Sequence, residues 1–237
     1  MSRVIALTQR EVMAYLVSPV AYLTAFAFLV MTGLLFTQQT LVPGQESTIG
    51  PLFGTMASIF VLCLPVLTMR LMADEYATGT IETLMTAPVT DAEVVLSKFL
   101  GVLAFYCLLL ATTAVHITTM AKFADLDIGV TIVSYIGLLL LGGLYAAVGI
   151  FASACTRYQL VAALLGIGLL SALTFLTSYL SLAWPEARGV LSHVNVLGQF
   201  ELFSRGVLDS AAVVYFLSGT ALFLFLAVKV VESKRWR

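Results

Sequence analysis

The stretch GVTIVSYIGLLLLGGLYAAVGIFAS, residues 129–153, runs for 25 residues without a charged side chain. At 1.5 Å per residue a helix of that length reaches about 37 Å, more than the ~30 Å of hydrocarbon in a bilayer. It therefore reads as a membrane span, and the same ruler finds five more, at about 20–38, 52–69, 99–121, 159–182 and 210–230. The composition agrees: of 237 residues 60% are hydrophobic and 11% charged, with a mean hydropathy of +1.03. One water-soluble core cannot hide that much apolar surface. The sequence thus predicts one all-α integral membrane domain over 1–237.

Inside the spans small residues recur. Gly142, Ala146, Gly149 and Ser153 follow at helical steps, a spacing that lets helix backbones approach, either within the bundle or between subunits. Pro65 can kink the second span where neighbours satisfy the freed carbonyl. Cys63, Cys107 and Cys155 lack metal or disulfide spacing and read as small packing residues.

The net charge of −1 conceals a sorting of charge into loops, and gives no reason to expect a nucleic-acid partner. Nine of the twelve Lys and Arg residues (Arg3, Arg10, Arg70, Lys98, Arg157, Lys229, Lys234, Arg235 and Arg237) fall on one side of the six spans. Only Lys122, Arg188 and Arg205 fall on the other. Short cytoplasmic loops retain basic residues, which predicts both termini in the cytoplasm, as an even number of spans requires. The first long apolar run begins near Val20 with no small-residue cleavage site after it, so no cleaved signal peptide is expected.

Residues 2–18 read as a helix lying in the interface. Ile5, Val12 and Leu16 fall together at 100° per residue, opposite Arg3 and Arg10, and Ser18-Pro19 then turns the chain into the first span. The polar stretch 70–98, RLMADEYATGTIETLMTAPVTDAEVVLSK, holds Gly79 as a break. In it Ile81, Leu84 and Met85 make one apolar stripe of a short helix that Pro88 ends. Thr90 and Glu93 have the spacing of a capping box for the helix that enters the third span. On the opposite side, 183–209 is too polar to cross lipid but keeps Leu191, Val194, Leu197, Phe200 and Phe203 near helical spacing, as short helices at the outer interface would. Glu201 and Arg205 there have i, i+4 spacing for an external ion pair.

Catalytic chemistry has little support. No Gly-Lys pair occurs, which excludes a phosphate loop of the G-x-x-x-x-G-K-[ST] type, and neither H-E-x-x-H nor G-x-S-x-G is present. Within the spans, apart from Lys229 at the cytoplasmic end of the last, His116 is the only ionisable group besides cysteine and tyrosine. It sits among Thr112, Thr113, Thr118 and Thr119, whose hydroxyls could bond it, and neither it nor His193 is assigned to chemistry. Coupling to an ion gradient is disfavoured by that scarcity.

The stretch DEYATGTIETLMTAPVTDAEVVLSKFLG resembles the E-x-x-x-G-T-I-E-x-L-x-x-x-P-V segment of the type-two ABC transporter permeases, matching at Glu75, Gly79, Thr80, Ile81, Glu82, Leu84, Pro88 and Val89. SPVAYL, SYIGLLLLG and FELFSRGVLDSAAVVYFLS are similar to the branch associated with bacterial gliding motility. The resemblance implies a permease subunit in a bacterial inner membrane, paired with an identical or related subunit and seated on two ABC ATPase subunits, which would carry the ATP and Mg. It further implies that the short helix from Thr80 to Met85 is a coupling helix docked on the ATPase, with the elbow helix of residues 2–18 beside it. Glu75 and Glu82 would hold that loop or meet basic groups on the elbow or the ATPase. An auxiliary protein with a large extracytoplasmic domain is a further implied partner. Export is the favoured reading; transmission of force to extracytoplasmic partners without moving solute, and an intramembrane enzyme centred on His116 or His193, are the alternatives.

Overall fold

The computed structural model describes residues 2–39, 50–79, 90–122, 127–184, 189 and 193–235. Thr80, Ile81, Glu82, Leu84, Met85 and Pro88 lie outside the described residues, as do Arg188, Leu191 and Arg237. The regular elements among the described residues are all helical: α1 (Ser2–Val17), α2 (Pro19–Gln39), α3 (Gly50–Thr68), α4 (Arg70–Thr78), α5 (Asp91–Thr112), α6 (Ala114–Met120), α7 (Ile128–Cys155), α8 (Gln159–Ser171), α9 (Thr177–Ala183), α10 (Val196–Ser204) and α11 (Ser210–Arg235). A single π-helical turn, Ala172–Leu176, joins α8 to α9.

Six helical segments are long and apolar enough to cross a membrane: Pro19–Gln38, Gly50–Thr78, Asp91–Met120, Ile128–Cys155, Gln159–Leu180 and Ser210–Lys234. The second is longer than its sequence estimate. Polar residues from Arg70 onward continue the helix instead of ending it, so its 29 residues reach about 44 Å and project beyond the hydrocarbon.

Helix α7 is the axis of the bundle. Its most apolar stretch is 78% buried, against 28% for the first span and 17% for the last. Small residues make this possible. A methyl group at Gly142 would lie 2.1 Å from the Tyr106 ring, and one at Gly149 would lie 2.1 Å from Thr68 Oγ1. Both glycines of the 142–153 series thus bring α7 against α5 and α3 of the same chain. Tyr106 also donates to Leu138 O at 2.7 Å. From it runs an aromatic line: Tyr106 meets Phe60 edge-on at 4.9 Å and Phe60 stacks on Phe28 at 4.5 Å, so four spans share one seam.

The bundle has two unlike ends. At the rim, Asn195 caps α10 by accepting from Gly198 N, and Phe200 and Phe203 are buried against α7, where Ser134 Oγ donates to Phe203 O. At the base lie α1, α4 and the last turns of α11. The three cysteines are free, Cys107 and Cys155 on the outside of the bundle.

Candidate functional site at the base of the bundle

Two caps bracket the segment 80–89. Gly79 ends α4 in the left-handed region at φ 72°, where a side chain would be strained. On the far side Thr90 accepts from Glu93 N at 3.3 Å, while Glu93 Oε2 accepts from Thr90 N at 2.8 Å, so the capping box is complete. Both flanks of the motif-bearing segment are therefore anchored in helices.

Helix α4 is separated from the second span by a joint at Met69. Pro65 brings no N–H to the ladder, and Thr68 Oγ1 bonds back to Leu64 O at 2.9 Å. The first amides of α4 have no cap from Met69, and Ser153 of α7 supplies one from outside. Its Oγ accepts from Met72 N and Ala73 N at 3.1 Å and donates to Met69 O at 2.8 Å. A side chain is thus spliced into the helix ladder. From the other side Tyr15 of α1 donates to Leu67 O at 3.0 Å and stacks on Phe105. Burial pushes the Tyr15 hydroxyl well above its ordinary titration range, so it stays a donor.

Glu75 sits on α4 in a four-membered ionic ring. Its Oε1 lies 2.7 Å from Lys98 Nζ and 3.4 Å from Arg10 Nη2. Glu11 Oε1 closes the ring at 2.9 Å from Arg10 Nη2 and 3.3 Å from Lys98 Nζ. The Lys98 side chain is 3% exposed, whereas Arg10 is 55% exposed and lids the cluster. The Arg10 guanidinium is held even further above its usual range, chiefly by its hydrogen bond to Glu11. Alternating charges let each desolvated group face two opposite ones, which a single buried pair could not provide.

The remaining base helices reach α4 as well. Gln159 Nε2 at the start of α8 donates to Asp74 Oδ1. Lys234 of α11 lies 4.0 Å over the Tyr76 ring and donates to Ala154 O at 2.6 Å. Helix α4 is thereby tied to α1, α5, α7, α8 and α11, immediately before the segment 80–89.

The sequence-derived elbow residues divide by face. Glu11 and Tyr15, on one stripe with the half-buried Leu7, pack α1 on α5, so closely that a methyl at Gly101 would lie 2.7 Å from Glu11 Cβ. Ile5 is 58% exposed, Val12 and Leu16 are half-buried, and Arg3 is exposed. The Ile5, Val12 and Leu16 stripe is therefore turned roughly 100° from the bundle-packing stripe, as a helix with separate protein and lipid faces requires. Among the residues singled out from sequence, the structure joins Arg10 to Glu75. Glu201 and Arg205 pair with each other on the far rim, 58% and 71% exposed. His116 does not bond the hydroxyls around it. Those of Thr112, Thr118 and Thr119 bond back to their own helix carbonyls, leaving the ring 3.3 Å from Thr113 O and edge-on to Phe36. His193 Nδ1 lies 2.6 Å from Gly189 O.

Sequence reasoning missed Glu11, Tyr15, Lys98, Gln159 and the capping role of Ser153. A signal for the first existed: an acid at the centre of the Leu7, Glu11, Tyr15 stripe needs a cation on whatever that stripe covers.

The family model described as ABC-2 family transporter protein matches residues 6–227, nearly the whole chain. The chain belongs to the ABC-2 family. No curated protein matches it. As an ABC-2 family protein with six apolar helices it is a multi-pass membrane subunit of an ABC transporter. It is the membrane component and not the ATPase, and it works with an ABC ATPase subunit. In this ABC-2 protein the densest set of buried charges among the described residues surrounds α4, next to the motif that carried the family resemblance.

Proposed function

We propose that this chain is half of the membrane unit of an ATP-driven exporter in a bacterial inner membrane, with the base and both termini in the cytoplasm. A second permease subunit, identical or related, completes the unit, and two ATPase subunits supply ATP and Mg. The segment 80–89 is the docking element: Ile81, Leu84 and Met85 fill a groove on the ATPase, while Glu82 and Thr80 hold the loop and Gly79 and Pro88 bound it. The observation that carries this reading is the convergence of five elements on α4, so that a push on 80–89 reaches the elbow helix and the third, fourth, fifth and sixth spans through Arg10, Lys98, Ser153, Gln159 and Lys234. Co-expression with the ATPase tests it. Wild type yields a complex with ATPase activity stimulated by the permease, and Ile81→Asp with Leu84→Asp abolishes both. Normal assembly and stimulation in the double variant overturn the docking role.

A second reading has its own support. Helix α7 carries Ser153 at α4 and Ser134 at α10, so a single stiff helix links the base to the rim. That arrangement suits transmission to an auxiliary extracytoplasmic protein, as in a relative of the gliding-motility branch, without moving solute. ATP-dependent accumulation of cargo in inverted vesicles favours export; ATP hydrolysis that responds only to an extracytoplasmic partner favours transmission.

A further inference from the structure

Beside the ionic ring lies a cleft of about 320 Å³ between α1, the end of α3, α4 and α5. Ala14, Tyr15, Leu67 and Leu71 form its apolar side. Its charged lining is balanced, three cations (Arg10, Arg70, Lys98) against three carboxylates (Glu11, Asp74, Glu75). Two of these groups have bonding capacity left. Arg70 is half-buried and makes no ion pair among the described residues, whereas Arg10 and Lys98 each contact two carboxylates. Glu75 Oε2 is buried and accepts no hydrogen bond among the described residues, although Oε1 of the same carboxylate is bonded twice.

A buried unsatisfied carboxylate oxygen and an unpaired guanidinium in one cleft call for one donor and one anion. An occupant of net charge would upset the three-against-three balance, whereas a zwitterion leaves it intact. The cleft lies where the last apolar turn of α3 gives way to Arg70, at the end of a run long and apolar enough to cross the hydrocarbon, which is where headgroups begin. Its apolar wall suits the glycerol end of a lipid. We propose that this cleft holds the zwitterionic headgroup of an aminophospholipid, with Arg70 binding the phosphate and Glu75 Oε2 accepting from the primary ammonium. Phosphatidylcholine lacks the N–H donors and phosphatidylglycerol lacks the cation, so the site discriminates against both. The chain then senses the composition of the leaflet around its base, a property separate from transport and readable without the ATPase.

The test is native mass spectrometry of the delipidated full-length protein titrated with phosphatidylethanolamine, phosphatidylcholine or phosphatidylglycerol of identical acyl chains. Phosphatidylethanolamine binds about tenfold or more tightly than either, the scale of one hydrogen bond to a charged group. Arg70→Gln lowers that binding by about tenfold and Arg70→Lys restores most of it. Glu75→Gln narrows the gap between phosphatidylethanolamine and phosphatidylcholine. Equal binding of the three lipids by wild type, or no change in a folded Arg70→Gln protein, overturns the proposal. Because Arg70 is outside the ionic ring, its variants keep the test valid if Glu75→Gln unsettles the fold. Water-soluble phosphoethanolamine competing at the lipid's own concentration overturns the lipid assignment in favour of a free ligand.

Discussion

The base and the rim of the bundle use charge in opposite ways. At the base, Lys98 is almost wholly enclosed and is shared by Glu11 and Glu75, so charge is structural. At the rim, Phe200 and Phe203 are buried while Glu201 and Arg205 stay in solvent, so packing is structural and charge is peripheral. An enclosed ionic ring resists the loss of any one member but can re-form with new partners, whereas an apolar wedge mainly holds shape. The end placed next to the motif-bearing segment is therefore the end held by exchangeable ionic contacts.

That contrast can be broken in order of size. Lys98→Met leaves two largely enclosed carboxylates sharing only the exposed Arg10 and should destabilise by up to about 3–5 kcal/mol. Thermal unfolding in detergent measures the loss, and the triple change with Glu11→Gln and Glu75→Gln should recover most of it. A triple variant as unstable as Lys98→Met would mean that the ring matters for shape and not for charge. Ser153→Ala leaves Met72 N, Ala73 N and Met69 O without their partner and should cost about 1–3 kcal/mol. Hydrogen exchange should rise at residues 69–73 before it rises elsewhere. Protection unchanged there would show that the α3–α4 joint closes on its own. Glu201→Ala at the rim should change stability by less than about 0.5 kcal/mol. A larger loss would erase the distinction between the two ends.

Much of the framework was legible from residues alone. The six spans are set by apolar length, and the Thr90, Glu93 box and the Gly79 break are local chemistry that needs no distant contact. The stretch 70–78 was less legible, because its polar residues look like a loop until their partners are known. Asp74, Glu75 and Tyr76 are each engaged from a different helix. Lys98 was counted as a loop cation for the same reason. Residue type gives its charge, but only the placement of α1 over Gly101 encloses it.

The sequence by itself determined the membrane class, the number of spans and the motif that ties the chain to its family, since each depends on length, composition or local order. The tertiary structure decided which charges are enclosed, that Ser153 caps a helix other than its own, and that α4 is the meeting point of the base. These depend on contacts between residues as far apart as Glu11 and Lys98 or Met69 and Ser153, and no local periodicity encodes a partner eighty residues away.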